Sequence, residues 1–397
     1  MRNTACATFI LALLFSTGPA LAAEGESVAP DLGRNAALTY WRAFAMSPVM
    51  TDDELKIFNP RPGTEPKTSP EKNAALVKRW GQALQLMHQA AAVSQCDWGI
   101  DYEKEGLHAS LPHFSKAWTL ARAAAFRAKY LWEKGQRKDA AEDLRATVVM
   151  ARHVGNDGRE TDIALFMQIA IEGLVQDAAA QLLTDREAAD LFADVLGDLS
   201  NGPSALLSKN AILAEKRVRI LWMRHRAESE PDIGKKLAKD LGPAESETRK
   251  EVLIKLSQTQ NADILKWLDE ELKQYDDMAA IADLPFQEFQ TRWAALDERI
   301  KASKNPFSEL ILPYIVSVRK EEERYRIRWA MVRAAIEIRR EGESALTKVT
   351  DPHDGKPFQY TALEGGAFEL KSTMLVRGRQ FDQPLVMTFG RPPAGKD

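Results

Sequence analysis

The sequence predicts a mainly α-helical protein: a multi-helix array containing one tetratricopeptide-like hairpin and ending in a small β-meander. Three observations carry this. Apolar residues recur at steps of three and four from about residue 35 to residue 341, the period of a helix face. The segment AAFRAKYLWEKGQRKDAAEDLRATVVMARHVG reads as two helices folded back across Gly135, with Ala140 and Ala141 where they approach. Beyond residue 350 the pattern changes to short alternating runs between Gly and Pro turns, which reads as strands.

Residues 1–22 precede that fold. Arg2 supplies a basic start, Phe9 to Phe15 an apolar run, and Ala20-Leu21-Ala22 a small-x-small cleavage site, so the segment reads as a secretory signal peptide cut after Ala22 or Ala23. Downstream there is no run of about 18 or more apolar residues, so no transmembrane span is expected in the mature chain. The expected location is periplasmic or secreted. One cysteine remains, Cys96, so export brings no intramolecular disulfide and stability must come from the core.

The helical body is expected over 23–347, as one bundle or as two split near 200–204 or 228–247. A first helix at 35–47 carries Leu38, Trp41, Phe44 and Ala45 on one face. Thr51-Asp52-Asp53-Glu54 is a capping box for a short helix to Phe58. Four prolines and a glycine make 59–71 a loop, and Ser69 before Pro70 caps a helix over 71–93 with Leu76, Trp80, Ala83, Leu84, Met87 and Ala91 as its stripe. Residues 94–112 are irregular. The hairpin follows as helices over 113–133 and 137–154. The most apolar helix, Thr161 to Leu183, is expected to be central, and Thr184-Asp185-Arg186-Glu187 caps the next one, to about Leu199. After a turn at SNGPS come a helix over 205–227, a looser segment over 228–247, and helices over 248–279, 285–303 and 308–341. In the last of these, Tyr325, Trp329, Val332 and Ile336 face the core. The tail, 348–397, gives strand runs at Phe358–Thr361, Phe368–Ser372, Met374–Val376 and Leu385–Phe389. That is too few strands to fold alone, so they should lean on the helices.

Composition excludes some functions. The chain has 54 Lys+Arg against 57 Asp+Glu, a net of −3, and loss of Arg2 with the leader makes it one unit more negative. A nucleic-acid binder usually carries a basic excess, so none is expected as a partner. A mature chain of about 375 residues is long enough for two or three domains.

Several stretches together resemble a family of uncharacterised exported helical proteins of planctomycete type: NAALTYWRAFAM at 35–46, CDWGIDY at 96–102, LPHFSKAWTLARAAAFRAKYLWEKG at 111–135, ARHVG at 151–155, NPFSELILPYI, and DPHDGKPFQY with GGAFELKS. The resemblance implies a signal peptide, a helical body and a short β tail, and no reaction. Asp351, Pro352, Gly355, Pro357 and Tyr360 also resemble the start of the β region in major pseudopilins of type II secretion. The acidic calcium loop and the pilin-type N-terminal helix of those proteins are missing here, so calcium binding and pilus assembly are not carried over.

The candidate chemistry centres on 94–113. Cys96 would need a histidine to become a nucleophile, and His108 and His113 are near in sequence, but Asp97 beside it raises a thiol pKa. Burial explains Cys96 more simply, with Trp98 packing at the same corner and Asp97 bonding backbone. Asp97, Asp101, His108 and His113 could form a metal site, yet their spacing lacks the pattern of known motifs, and no metal or cofactor is expected. Glu172, in the apolar helix, is either a general acid or the partner of an arginine such as Arg122 or Arg127. The basic run from Lys209 to Arg226 reads as a solvated face balanced by Glu215 and Glu228. No phosphate loop, Gly-x-Ser-x-Gly or His-Glu-x-x-His occurs. The expected function is therefore an extracytoplasmic scaffold or protein- or peptide-binding protein. The alternatives are a hydrolase centred on 96–113 and an accessory of a secretion or pilus-like apparatus.

Overall fold

Helix starts follow local chemistry. Asn35 opens α1 (Ala36–Met46) by accepting the Ala37 amide. At the head of α2 (Asp52–Phe58), Glu54 donates its amide to the Thr51 hydroxyl at 3.3 Å and Thr51 donates its amide to the Glu54 carboxylate at 2.8 Å, the two bonds of a capping box. Ser69 caps α3 (Pro70–Ala91), with Pro70 in its first turn. The irregular segment after it holds only α4 (Tyr102–Glu105) and a 3-10 turn. Then α5 (Pro112–Glu133) and α6 (Arg137–Gly155) form the helical hairpin, with Ala140 and Ala141 fully buried. Thr161 caps α7 (Asp162–Leu182) and Asp185 caps α8 (Arg186–Ser200).

The computed structural model describes residues 35–58, 68–156, 161–201, 207–242, 246–377 and 382–390, with backbone alone at Thr248, 309–315 and Arg377. The expected leader and most of the loop at 59–71 lie outside these residues, as does most of the turn at 200–204. All described residues belong to the compact unit that follows Gly33.

In the second half one expected helix holds with an internal π-helical turn, and two expectations need correction. The helix expected at 205–227 is α9 (Leu207–Glu215), a π-helical turn (Lys216–Leu221) and α10 (Trp222–Ser229) in direct succession. The segment expected to be loose holds α11 (Ile233–Asp240). The single helix expected at 248–279 is broken at 258–260 into α12 (Glu247–Ser257) and α13 (Asn261–Ala282). The break has a tertiary cause. Asn261 donates to the carbonyls of Ala227 and Glu230 and accepts the Ile233 amide, so it joins the end of α10 to the start of α11. Two long helices complete the body, α14 (Phe286–Ser303) and α15 (Pro306–Glu341).

The tail is a three-stranded antiparallel sheet, β1 (Gln359–Ala362), β2 (Phe368–Arg377) and β3 (Asp382–Phe389), in that spatial order. The two runs expected at Phe368–Ser372 and Met374–Val376 are one strand, with a register shift between Lys371 and Leu375. Phe368, Leu370, Met374, Leu385, Met387 and Phe389 are buried and join the core built by α6, α7, α8 and α15. Arg339 of α15 lies 4.8 Å from the Phe368 ring centre, and Gly390 donates to the Ala180 carbonyl of α7.

A second apolar cluster joins α1, α3, α5 and α6, and here the expected face of α1 holds only at Phe44. Ala36, Ala37, Tyr40, Ala43 and Phe44 are buried, while Leu38, Trp41 and Ala45 are exposed. The small residues let α1 lie close to α3, and the Tyr40 hydroxyl meets His153 Nδ1 at 3.0 Å. A third cluster holds α9 to α15 together. α7 is long and apolar enough by composition to cross a membrane, but it packs against α5, α6, α9, α15 and β3, and Gln168, Glu172 and Gln176 are buried on it.

Candidate functional site

The stretch 94–113 is a packed corner. Asn35 and Asp97 exchange bonds: Asn35 Nδ2 donates to the Asp97 carbonyl and the Asp97 amide donates to Asn35 Oδ1. The Asp97 carboxylate accepts the Gly99 amide at 2.8 Å. Trp98 is buried, donates Nε1 to the His153 carbonyl, and stacks on His113 with ring centres 4.4 Å apart. Cys96 is half-buried beside the same cluster. Asp101 caps α4 by accepting the Lys104 amide.

His113 is 1% exposed, and burial lowers its pKa to about 4, so the ring is neutral at ordinary pH. His108 faces away, toward Asp240 of α11 at 3.4 Å. The candidate ligands therefore do not converge. Among the described residues no group of three or more His, Cys, Asp or Glu side chains could hold a metal.

Glu172 is fully buried and pairs with neither Arg122 nor Arg127. Its carboxylate accepts from Arg152 Nε at 3.4 Å, Gln168 Nε2 at 3.1 Å, the Tyr325 hydroxyl at 2.9 Å and Trp329 Nε1 at 2.8 Å. Burial works against the Arg152 charge, but Glu172 and Tyr325 more than offset it and hold the guanidinium above its ordinary range. The expected partners are occupied elsewhere: Arg127 binds Asp143, which also meets His88 at 2.7 Å, and Arg122 lies 4.6 Å over Trp118. Glu172 is faced by α15 and by α6, which supplies the arginine, and the sequence does not reveal this. The basic run does meet acids, Glu215 and Glu228 among them, and also Asp269, Asp276 and Asp283 across on α13 and just beyond it.

A different place is open to solvent. A cleft of about 1360 Å³ lies between the β2–β3 hairpin and helices α14 and α15. On the helical side it is lined by Phe286, Gln287, Lys320, Glu321, Arg324 and Arg328; on the sheet side by Lys371, Thr373, Leu375, Pro384 and Val386. Leu375 is 60% exposed and Val386 41%.

His353 also lines this cleft. Asp351 accepts the His353 amide at 2.9 Å and so shapes the turn. The imidazole lies 5.6 Å from Phe286, its Nε2 meets Gln287 at 3.1 Å, and its Nδ1 faces buried Glu323 at 3.5 Å. Glu323 is held in turn by Arg319 at 3.0 Å, and Arg319 is 1% exposed beneath Phe286 and Phe289. Thr373 of β2 donates to Asp354. The DPHDG stretch is thus a clasp that fixes the sheet to α14 and α15 and leaves a gap beside it.

Sequence reasoning did not find this cleft. One signal was present, the cations Lys320, Arg324 and Arg328 at four-residue intervals on α15. A smaller cleft of about 320 Å³ lies between α1 and α3, next to exposed Met46.

Comparison of the chain with known protein families, with curated proteins and with solved structures finds no match. The functional reading therefore rests on the residues and their arrangement.

Proposed function

We propose that this is an exported, non-enzymatic binding protein of the cell envelope that holds a protein or peptide segment in the cleft between the β2–β3 hairpin and α14–α15. The observation that carries the reading is the cleft itself. It is larger than an ordinary small-ligand pocket of about 300–1,000 Å³, at about 1360 Å³. It mixes exposed aliphatic side chains with charged ones, as sites for polypeptide do. Export is supported by the expected leader at 1–22. The residues that suggested a hydrolase, Cys96, Asp97, Asp101 and His113, are engaged in packing and capping and line neither cleft described above.

The test is a randomised peptide array probed with the purified mature chain and with its Leu375→Lys/Val386→Lys variant. Both positions are exposed, so the variant should fold and give the parental circular dichroism spectrum. Selected peptides should bind the parent and lose at least ten-fold in affinity on the variant. Unchanged binding by the variant, or the absence of any selected peptide, would refute the reading.

A further inference from the structure

The next inference rests on that reading and narrows the occupant. Lys320, Arg324 and Arg328 stand at successive four-residue steps on α15, and all three line the cleft. Four residues advance an α-helix by about 6 Å. Two residues advance an extended chain by about 6.6 Å. A peptide lying extended along α15 would therefore bring every second side chain opposite one cation after another, nearly in step over the three positions. Its intervening side chains would point the other way, toward the hairpin. There the exposed Leu375 and Val386 wait, with Pro384 paired to Leu375 and Lys371 paired to Val386.

The cations can accept such a ligand. Lys320 and Lys371 make no ion pair among the described residues. Arg324 reaches Glu321 at 3.6 Å, with both side chains 42% exposed, and an exposed pair of this kind is weak and exchanges readily. Arg328 is only 14% exposed and keeps its partners, Nε on Gln176 at 2.8 Å and Nη2 on Asp177 at 2.6 Å, which leaves Nη1 for a ligand. Of the acids that line the cleft, Glu321 is under Arg324, Glu369 accepts the Thr388 hydroxyl, and Asp382 stands at the start of β3. Recognition by strand addition is disfavoured, because Pro384 removes a backbone donor from β3 and edge prolines protect against such pairing.

We propose that the occupant is an extended segment of a partner protein in which carboxylate and aliphatic side chains alternate, the carboxylates on Lys320, Arg324 and Arg328 and the aliphatics on Leu375 and Val386. Fluorescence anisotropy tests this with three labelled eight-residue peptides: alternating glutamate and valine, the same composition with the four glutamates in one block, and alternating lysine and valine. The alternating acidic peptide should bind at least ten-fold more tightly than the other two and weaken as salt is added. A Lys320→Glu/Arg324→Glu variant should reverse the preference toward the lysine peptide. Equal binding of the alternating and block peptides would reduce the effect to plain polyanion attraction and overturn the proposal, as would equal competition by an anionic polysaccharide. Failure of the acidic peptide while array-selected peptides still bind at Leu375 and Val386 would sink this inference alone. Failure of every peptide would sink the broader reading with it.

Discussion

Glu172 shows how much a single buried residue can organise. Four donors from α6, α7 and α15 converge on one carboxylate. Removing it leaves the buried Tyr325 hydroxyl and Trp329 indole without their acceptor and takes the counter-charge from Arg152, which keeps only the Leu199 carbonyl among its bonds to α8 and α7. Glu172→Ala should therefore cost about 3–5 kcal/mol, the range for breaking a buried ion pair at one partner. Urea unfolding monitored by circular dichroism measures this, and Glu172→Gln, which keeps an acceptor, should cost distinctly less. At this scale, roles set by neighbours in sequence were legible. Asp97 bonds backbone two residues on and Asp101 caps a turn, as short polar side chains in irregular segments do. The partner of Glu172 was not legible, because which of several arginines faces it depends on how α6 lies against α7.

Among the elements, ends were easier to read than faces. The caps expected at Thr51 and Ser69 accept the amides they should, and within the expected cap over 184–187 Asp185 accepts the Ala188 amide. The face of α1 was misread because apolar residues nearly surround it, and period alone cannot choose between Leu38 with Trp41 and Tyr40 with Ala43. The α6–α7 contact has its own requirement. A Cβ on Gly155, in the last turn of α6, would fall within the Gln168 side chain of α7. Gly155→Ala should destabilise the protein by about 1–3 kcal/mol, as overpacking in a filled site does. A shift in thermal midpoint checks it. No loss of stability would mean that α6 and α7 can separate without penalty.

For the molecule as a whole, buried ionisable groups set the dependence of stability on pH. Burial raises Glu215, opposed by Arg219 and aided by Asp162, to about 8. Burial likewise raises Glu271, despite a bond from Ser308, to about 7. Such groups hold protons in the folded state that the unfolded chain has released. Their contribution is present in full below about pH 4.5 and is lost as pH rises through about 7 for Glu271 and 8 for Glu215. His113 runs the other way: its contribution is present above about pH 6.5 and is lost as pH falls through about 4. The stability difference between the protein and its Glu271→Gln variant should therefore change between pH 4.5 and 7, with the variant relatively favoured at the upper end. A difference that stays flat over that range would show that Glu271 does not titrate within the folded core.

The amino-acid sequence alone determined that this chain is helical, where most helices begin, that a β tail follows, and which positions form the stripe of α3 and of the last turns of α15. These depend on interactions within a few residues: capping bonds, proline and glycine geometry, and the period of apolar side chains. Tertiary structure decided the rest. It chose the buried face of α1, broke the chain at 258–260 to place Asn261, gave Glu172 its partners, and set the hairpin apart from α14 and α15 to leave a cleft. Each of these depends on where distant segments come to lie, and local periodicity carries no information about that distance.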